Sequence, residues 1–140
     1  MENPSNITQS ILVVEDETFI RLCAVLDLKD AGYVVFDAAD AQEALRVFGE
    51  HPEITTLFTD INMPGAVDGL ALAHLIAGLN SGVQLIITSG RTEPTRRNMP
   101  AGACFLCKPY TSSAVSALIR NGGRAEVACL WGGPTPWPGA

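Results

Sequence analysis

No stretch of this chain is apolar for long enough to cross a membrane, and the first ten residues carry an acid but neither a basic cluster nor a long apolar core. Neither a membrane span nor an export signal is therefore expected. Positive charge is also scarce: 9 Lys and Arg stand against 15 Asp and Glu, a net charge of −6, which argues against direct contact with nucleic acid. Charged residues make up only 17% and hydrophobic ones 47%, so a disordered acidic tail is excluded and a buried core is expected. The four cysteines, Cys23, Cys104, Cys107 and Cys129, show no disulfide-framework spacing, and in a reducing compartment they read as small buried hydrophobes. His51 and His74 lie far apart without partner ligands nearby, so neither reads as a metal ligand. Internal repeats are absent. With 140 residues, a single cytoplasmic domain follows.

What is present is an alternation of short β-branched runs and amphipathic segments. Ile11–Val14, Tyr33–Phe36, Ile54–Thr59, Val83–Thr88 and Ala103–Leu106 read as strands buried on both faces. Helices are expected between them, with buried stripes at Phe19, Leu22, Val25 and Leu26, at Ala41, Ala44, Leu45 and Phe48, and at Leu72, Leu75, Ile76 and Leu79. Asp40 with Glu43 forms a capping-box-like start, Asp68 starts the third helix, and Thr111 caps the last, whose face is Val115, Leu118 and Ile119. Arg91–Pro100, with Pro94 and Pro100 and only Met99 as a sizeable apolar residue, predicts at most a short, poorly anchored helix. Such alternation requires right-handed crossovers and a doubly wound α/β fold, a five-stranded parallel sheet with helices on both faces. The expected organisation is an N-terminal extension over 1–9, a domain over 10–121, and an irregular tail over 122–140 containing Gly pairs, prolines, Trp131 and Trp137.

The strand ends carry the chemistry. Glu15 and Asp16 follow the first strand, Asp60 ends the third, Ser89 follows the fourth, and Lys108 the fifth. In a parallel sheet these carboxyl ends form the crevice where ligands bind. With the first and third strands adjacent the acids lie side by side, where they repel unless a cation joins them, and hard oxygen ligands suit Mg²⁺. Lys108 and Ser89 would add positive charge and a hydroxyl donor, the groups that phosphoryl transfer needs to neutralise its oxygens.

Four segments in this order resemble the receiver domain of bacterial two-component response regulators: Ile11-Leu-Val-Val-Glu15-Asp16-Glu17, Asp60-Ile-Asn62-Met-Pro64-Gly65 with Asp68-Gly69, Ile86-Ile-Thr88-Ser89-Gly90, and Phe105-Leu-Cys-Lys108-Pro109. The resemblance implies a flavodoxin-like sheet of order 2-1-3-4-5. It implies phosphorylation of Asp60 by a histidine kinase or histidine phosphotransfer protein, and a downstream protein target instead of an enzymatic substrate. Mg²⁺ would be held by Asp16, Asp60 and the Asn62 carbonyl, with Glu15 acting through water. Ser89 would be the switch hydroxyl, Lys108 the phosphate-pairing lysine in a cis Lys108–Pro109 linkage, and either Phe105 or Tyr110 the switch aromatic. About 20 tail residues cannot make an output domain, so the chain is expected either to bind a target as a stand-alone receiver or to act as an intermediate or sink in a phosphorelay, and ordering of the poorly anchored residues 91–103 is expected to carry the signal.

Three other readings are weaker. An aspartyl-phosphate phosphatase needs a second Asp two residues after the nucleophile, where this chain has Asn62. A pseudo-receiver would have no use for the set Asp16, Asp60, Ser89 and Lys108. Cys104 and Cys107 form a C-x-x-C, but positions three apart on a strand point to opposite faces, so their sulfurs cannot easily meet.

Overall fold

Five apolar runs pair into one parallel sheet: β1 (Ser10–Val14), β2 (Val34–Ala38), β3 (Thr56–Asp60), β4 (Gln84–Ser89) and β5 (Cys104–Cys107). The computed structural model describes residues 9–90 and 98–120 and, beyond them, the backbone of strands 126–129 and 133–136. Four helices join the strands: α1 (Thr18–Asp30), α2 (Ala41–Glu50), α3 (Gly69–Leu79) and α4 (Ser112–Arg120). The first five strands stand in the expected order, 2-1-3-4-5. The short helix expected between β4 and β5 falls on residues 91–97, outside the described residues.

Side-chain alternation along the strands divides the core into two layers. Leu12, Val14, Leu57, Leu85, Ile87 and Phe105 pack with α2 and α3 on one face. Ile11, Val13, Phe58, Ile86, Cys104 and Leu106 pack with α1 and α4 on the other. Both faces of the sheet are thus covered, which is why its strands read as continuous apolar runs instead of alternating ones. Caps fall where polar residues demanded them. Asp40 accepts from the Glu43 amide at 2.8 Å, Asp68 from Ala71 at 2.9 Å, and Thr111 Oγ1 from Ala114 at 3.1 Å.

Two expected helix faces are corrected. In α1 the buried residues are Ala24, Val25 and Leu28, whereas Phe19, Leu22 and Leu26 are exposed. In α3 the buried residues are Gly69, Leu72, Ala73 and Ile76, and Leu75 and Leu79 are exposed. Both helices are apolar around most of their circumference, so periodicity defines no single stripe. The faces bearing small residues, Ala24 and Ala73, lie against the sheet because they let the backbone come close.

The tail is the larger correction. It was expected to be irregular, but β6 (Glu126–Cys129) and β7 (Gly133–Pro136) extend the sheet to seven strands, β6 parallel to β5 and β7 antiparallel to β6. Without β6, the outer edge of β5 would present an unpaired row of backbone donors and acceptors. Glycine and proline around two four-residue strands masked them in the composition. The cysteines also depart from expectation, since Cys104 is buried but Cys23 is exposed and Cys107 is disulfide-bonded. Cys104 and Cys107 do lie on opposite faces of the sheet.

Candidate functional site

The site forms at the carboxyl ends of β1, β3, β4 and β5: Glu15 and Asp16 follow β1, Asp60 and Ser89 end β3 and β4, and Lys108 follows β5. Glu15 and Asp60 are buried to 5% and 6% exposure, while Asp16 is exposed. One carboxylate oxygen from each of the three lies within 4.8 Å of the others, and among the described residues this is the only such group. Lys108 reaches in from the end of β5, its Nζ donating to Glu15 Oε1 at 2.8 Å and to Asp60 Oδ2 at 3.0 Å.

Nearby backbone also contacts the two buried carboxylates. Glu15 Oε2 accepts from the Glu17 amide at 3.2 Å, at the start of α1, and Asp60 Oδ1 accepts from the Asn62 amide at 3.2 Å. Glu17 occupies the N-cap position of α1 without a side-chain capping bond. The Asn62 side-chain amide donates to Ser89 Oγ at 3.0 Å. Ser89 is buried, and its carbonyl accepts from the Lys108 amide at 3.1 Å. The Lys108–Pro109 peptide bond is cis.

The electrostatics follow from one ammonium among three carboxylates. Burial alone would lower the Lys108 pKa, but its hydrogen bonds to Glu15 and Asp60 and their charges outweigh that, and the net shift is upward. Asp16 is also shifted up, by desolvation first and then by its hydrogen bond and charge repulsion with Glu15. A residual negative charge therefore remains after Lys108 is counted.

The two candidate switch aromatics are far from equivalent. Phe105 is 1% exposed inside the α2–α3 layer of the core. Tyr110 is half-buried against the α1–α4 layer, edge-on to Phe58 with centroids 5.3 Å apart, and burial pushes its hydroxyl pKa up to about 12. Tyr110 also lines a groove of about 440 Å³ with Phe19, Ile20, Cys23, Lys108 and Pro109, so that apolar surface runs up to the lysine.

Two residues were not singled out by sequence reasoning. Arg21 donates to the Glu15 carbonyl at 2.8 Å and to Asp37 Oδ2 at 3.1 Å, tying the ends of β1 and β2 together. Its sequence position four after Glu17 suggests only a surface helix pair. Gly69, quoted above only within a motif, is sterically required, because a Cβ there would run into the Asp60 carbonyl. Neither histidine joins the site: His51 stacks on Phe36 at 4.1 Å and His74 Nε2 donates to the Asn98 carbonyl at 2.6 Å.

The family model "Response regulator receiver domain" matches residues 11–120. The chain belongs to this family. A solved receiver domain from Clostridium thermocellum is 30% identical, with a TM-score of 0.75 over 81% of this chain and 93% of that one. The receiver domain of the hybrid histidine kinase CckA is 31% identical, with a TM-score of 0.70 over 82% of this chain and 99% of that one. Among curated proteins, the sensor kinase CckA of Brucella abortus is 32% identical over 116 residues, which are 80% of this chain and 12% of that protein. The transcriptional regulatory protein PrrA of Mycobacterium tuberculosis is 31% identical over 126 residues, 84% of this chain and 53% of that protein. This receiver chain thus spans about half or less of these curated relatives. No helix among its described residues is long and apolar enough to cross a membrane.

Proposed function

We propose that this receiver domain accepts a phosphoryl group on Asp60 from a histidine kinase or histidine phosphotransfer protein and thereby changes which protein it binds. The observation that carries the reading is the Lys108 ammonium held 3.0 Å from Asp60 Oδ2 beside a cluster of carboxylates at the strand ends. In the transfer, an Asp60 carboxylate oxygen attacks phosphorus, the bond to the donor nitrogen breaks, and an acyl phosphate remains. Lys108 sits where the transferred oxygens gather charge, and the Asn62 amide orients the carboxylate from its other oxygen.

The donor set suits a hard divalent cation, since three oxygen ligands of one sign are opposed by a single ammonium. Asp16, Asp60 and the Asn62 carbonyl would hold Mg²⁺, which when bound supplies charge neutralisation for both carboxylates and phosphoryl oxygens. Glu15 fits a role at one remove from the metal, because its oxygens already accept from Lys108 and the Glu17 amide. Ser89 is the switch hydroxyl in this reading. Tyr110 is the better-placed coupling aromatic, as it stands two residues beyond Lys108 at a surface groove whereas Phe105 is sealed in the core. A protein donor or target has apolar surface to sit on there, where Phe19 is exposed beside Lys108. The chain turns over no substrate in this role, and a cytoplasmic setting fits such partners.

The test is labelling with acetyl phosphate and Mg²⁺. Wild type should acquire a phosphoryl group labile to acid, base and hydroxylamine, as an acyl phosphate is, and Asp60→Asn should acquire none while retaining its circular dichroism spectrum. Undiminished labelling of Asp60→Asn would overturn the assignment.

A further inference from the structure

The turn between β1 and α1 carries both acids of the first strand end. The peptide that joins Glu15 to Asp16 lies beyond the last registered pairs of β1, which are Val14 with Ala38 and Val14 with Thr59. Two ties to β2 hold it instead. The Glu15 amide donates to the Ala38 carbonyl at 3.1 Å, and the Glu15 carbonyl accepts from Arg21 Nη1 at 2.8 Å. Arg21 is itself anchored on β2, where its Nε donates to Asp37 Oδ2 at 3.1 Å. It stands in the first turn of α1, and a helical side chain leans toward the helix N-terminus, which carries the guanidinium back over the turn it grips. The Arg21 side chain is only 15% exposed, although arginine ordinarily extends into water.

The consequence falls on Asp16. The Glu15 carboxylate is buried and held by Lys108 and the Glu17 amide. Asp16 is exposed, so the direction in which it leaves the main chain, more than packing, places its carboxylate within 4.8 Å of the other two. That direction follows the plane of the Glu15–Asp16 peptide, because the peptide is planar and its carbonyl is the group that Arg21 grips. Asp37 neutralises the guanidinium, so the peptide is fixed without a net positive charge beside three carboxylates.

We propose that Arg21 is a positioning residue for the cation site: it sets the Glu15–Asp16 peptide so that the Asp16 carboxylate stays within reach of Asp60. The inference rests on Asp16 and Asp60 as Mg²⁺ ligands in the proposed function. A guanidinium suits this task better than an ammonium, because its donors are fixed in one plane and reach the carbonyl and Asp37 from different nitrogens at once. Without it, ordering Asp16 falls to the cation itself, which lowers the affinity.

The experiment titrates Mg²⁺ into the full chain by isothermal calorimetry and then measures the Mg²⁺ dependence of acetyl phosphate labelling. Arg21→Met keeps an apolar stem and removes every donor, and its Mg²⁺ dissociation constant should rise about tenfold or more. Charge alone predicts the reverse, since deleting a cation close to three carboxylates draws Mg²⁺ more strongly. Loss of stability alone predicts no change in a chain that circular dichroism shows to be folded at the titration temperature. Arg21→Lys keeps the charge and the stem, and should still bind Mg²⁺ about threefold more weakly than wild type, or worse; it decides the question where Arg21→Met does not fold. Labelling of both variants should need correspondingly more Mg²⁺ to reach half its maximal rate and should approach the wild-type rate at saturating Mg²⁺. That split is expected of a residue that places a ligand and touches no reacting atom. Arg21→Met binding Mg²⁺ as tightly as wild type or more tightly, or wild-type affinity in Arg21→Lys, would overturn the positioning role while leaving Asp60 as phosphoacceptor. Weaker Mg²⁺ binding by both variants of a chain that acetyl phosphate does not label would overturn the phosphoacceptor reading and leave the positioning role standing. A wild-type chain that binds no Mg²⁺ would overturn the cation site and this inference with it.

Discussion

The Asn62 side-chain amide donates to the Ser89 hydroxyl at 3.0 Å, so the residue two positions beyond Asp60 holds the hydroxyl that a phosphoryl group on Asp60 would recruit. Under the proposed function this hydrogen bond would act as a latch on the unphosphorylated arrangement, and its strength would bias the equilibrium.

Removing the latch should favour the activated arrangement. A hydrogen bond of this kind contributes about 0.5–1.5 kcal/mol, so Asn62→Ala should bind the beryllium fluoride mimic with Mg²⁺ about twofold to tenfold more tightly. Mg²⁺ affinity itself should change little, because only the main-chain carbonyl of Asn62 faces the cation in the proposed site. Isothermal titration gives both numbers. Weaker mimic binding by Asn62→Ala would show that the amide assists the phosphorylated state instead.

The carboxylate cluster predicts opposite responses to two substitutions. Lys108→Ala leaves Glu15 and Asp60 buried together without their ammonium, so in chelator it should lose about 2–4 kcal/mol and gain more from Mg²⁺ than wild type does. Asp16→Asn removes a charge from the same cluster and should melt at or above the wild-type temperature in chelator, with most of the Mg²⁺ stabilisation gone. Thermal melts with and without Mg²⁺ decide both. Equal Mg²⁺ stabilisation in Asp16→Asn and wild type would remove Asp16 from the ligand set.

Two glycines of α3 should respond with opposite signs to the same change. Gly69→Ala puts a methyl into the Asp60 carbonyl, so α3 must retreat from β3 at a cost of about 1–3 kcal/mol, and acetyl phosphate labelling should slow. Gly78→Ala meets nothing within 4 Å and should stabilise by about 0.5–1 kcal/mol through helix propensity alone. Urea denaturation of the two variants checks the contrast.

Tyr110 should impose an alkaline limit. Its pKa rises from 10.0 to about 12 on folding, chiefly through desolvation, so between those values the unfolded chain has released a proton that the folded chain keeps. Its contribution to stability is present in full below pH 10 and is lost as pH rises toward 12. Wild type should therefore lose stability more steeply than Tyr110→Phe over that window. Absorbance titration at the tyrosinate band should show the transition near 12 in wild type and not in Tyr110→Phe.

Much of this was legible in the residues. Ile11–Val14 and Leu85–Ile87 announced buried strands because a sheet covered on both faces leaves no polar alternation. Asp40, Asp68 and Thr111 announced their helix starts because an orphan backbone amide needs an acceptor close in sequence. The gathering of Glu15, Asp16 and Asp60 followed once the adjacency of the first and third strands was granted, since each acid stands at a strand's end.

What the amino-acid order determined by itself was therefore local: which segments extend, which coil, where they stop, and which polar groups ride on the strand ends. The tertiary structure alone decided how α1 and α3 turn, because a helix apolar on several sides has its buried face chosen by how closely the sheet lets it approach. It decided the pairing of Asn62 with Ser89 across 27 positions and the double contact of Lys108, which are set by where separate strands end in space. It also decided the fate of the tail. Four residues beginning at Glu126 have little strand signal of their own, and they become a strand because the open edge of β5 offers backbone partners that only the folded sheet presents.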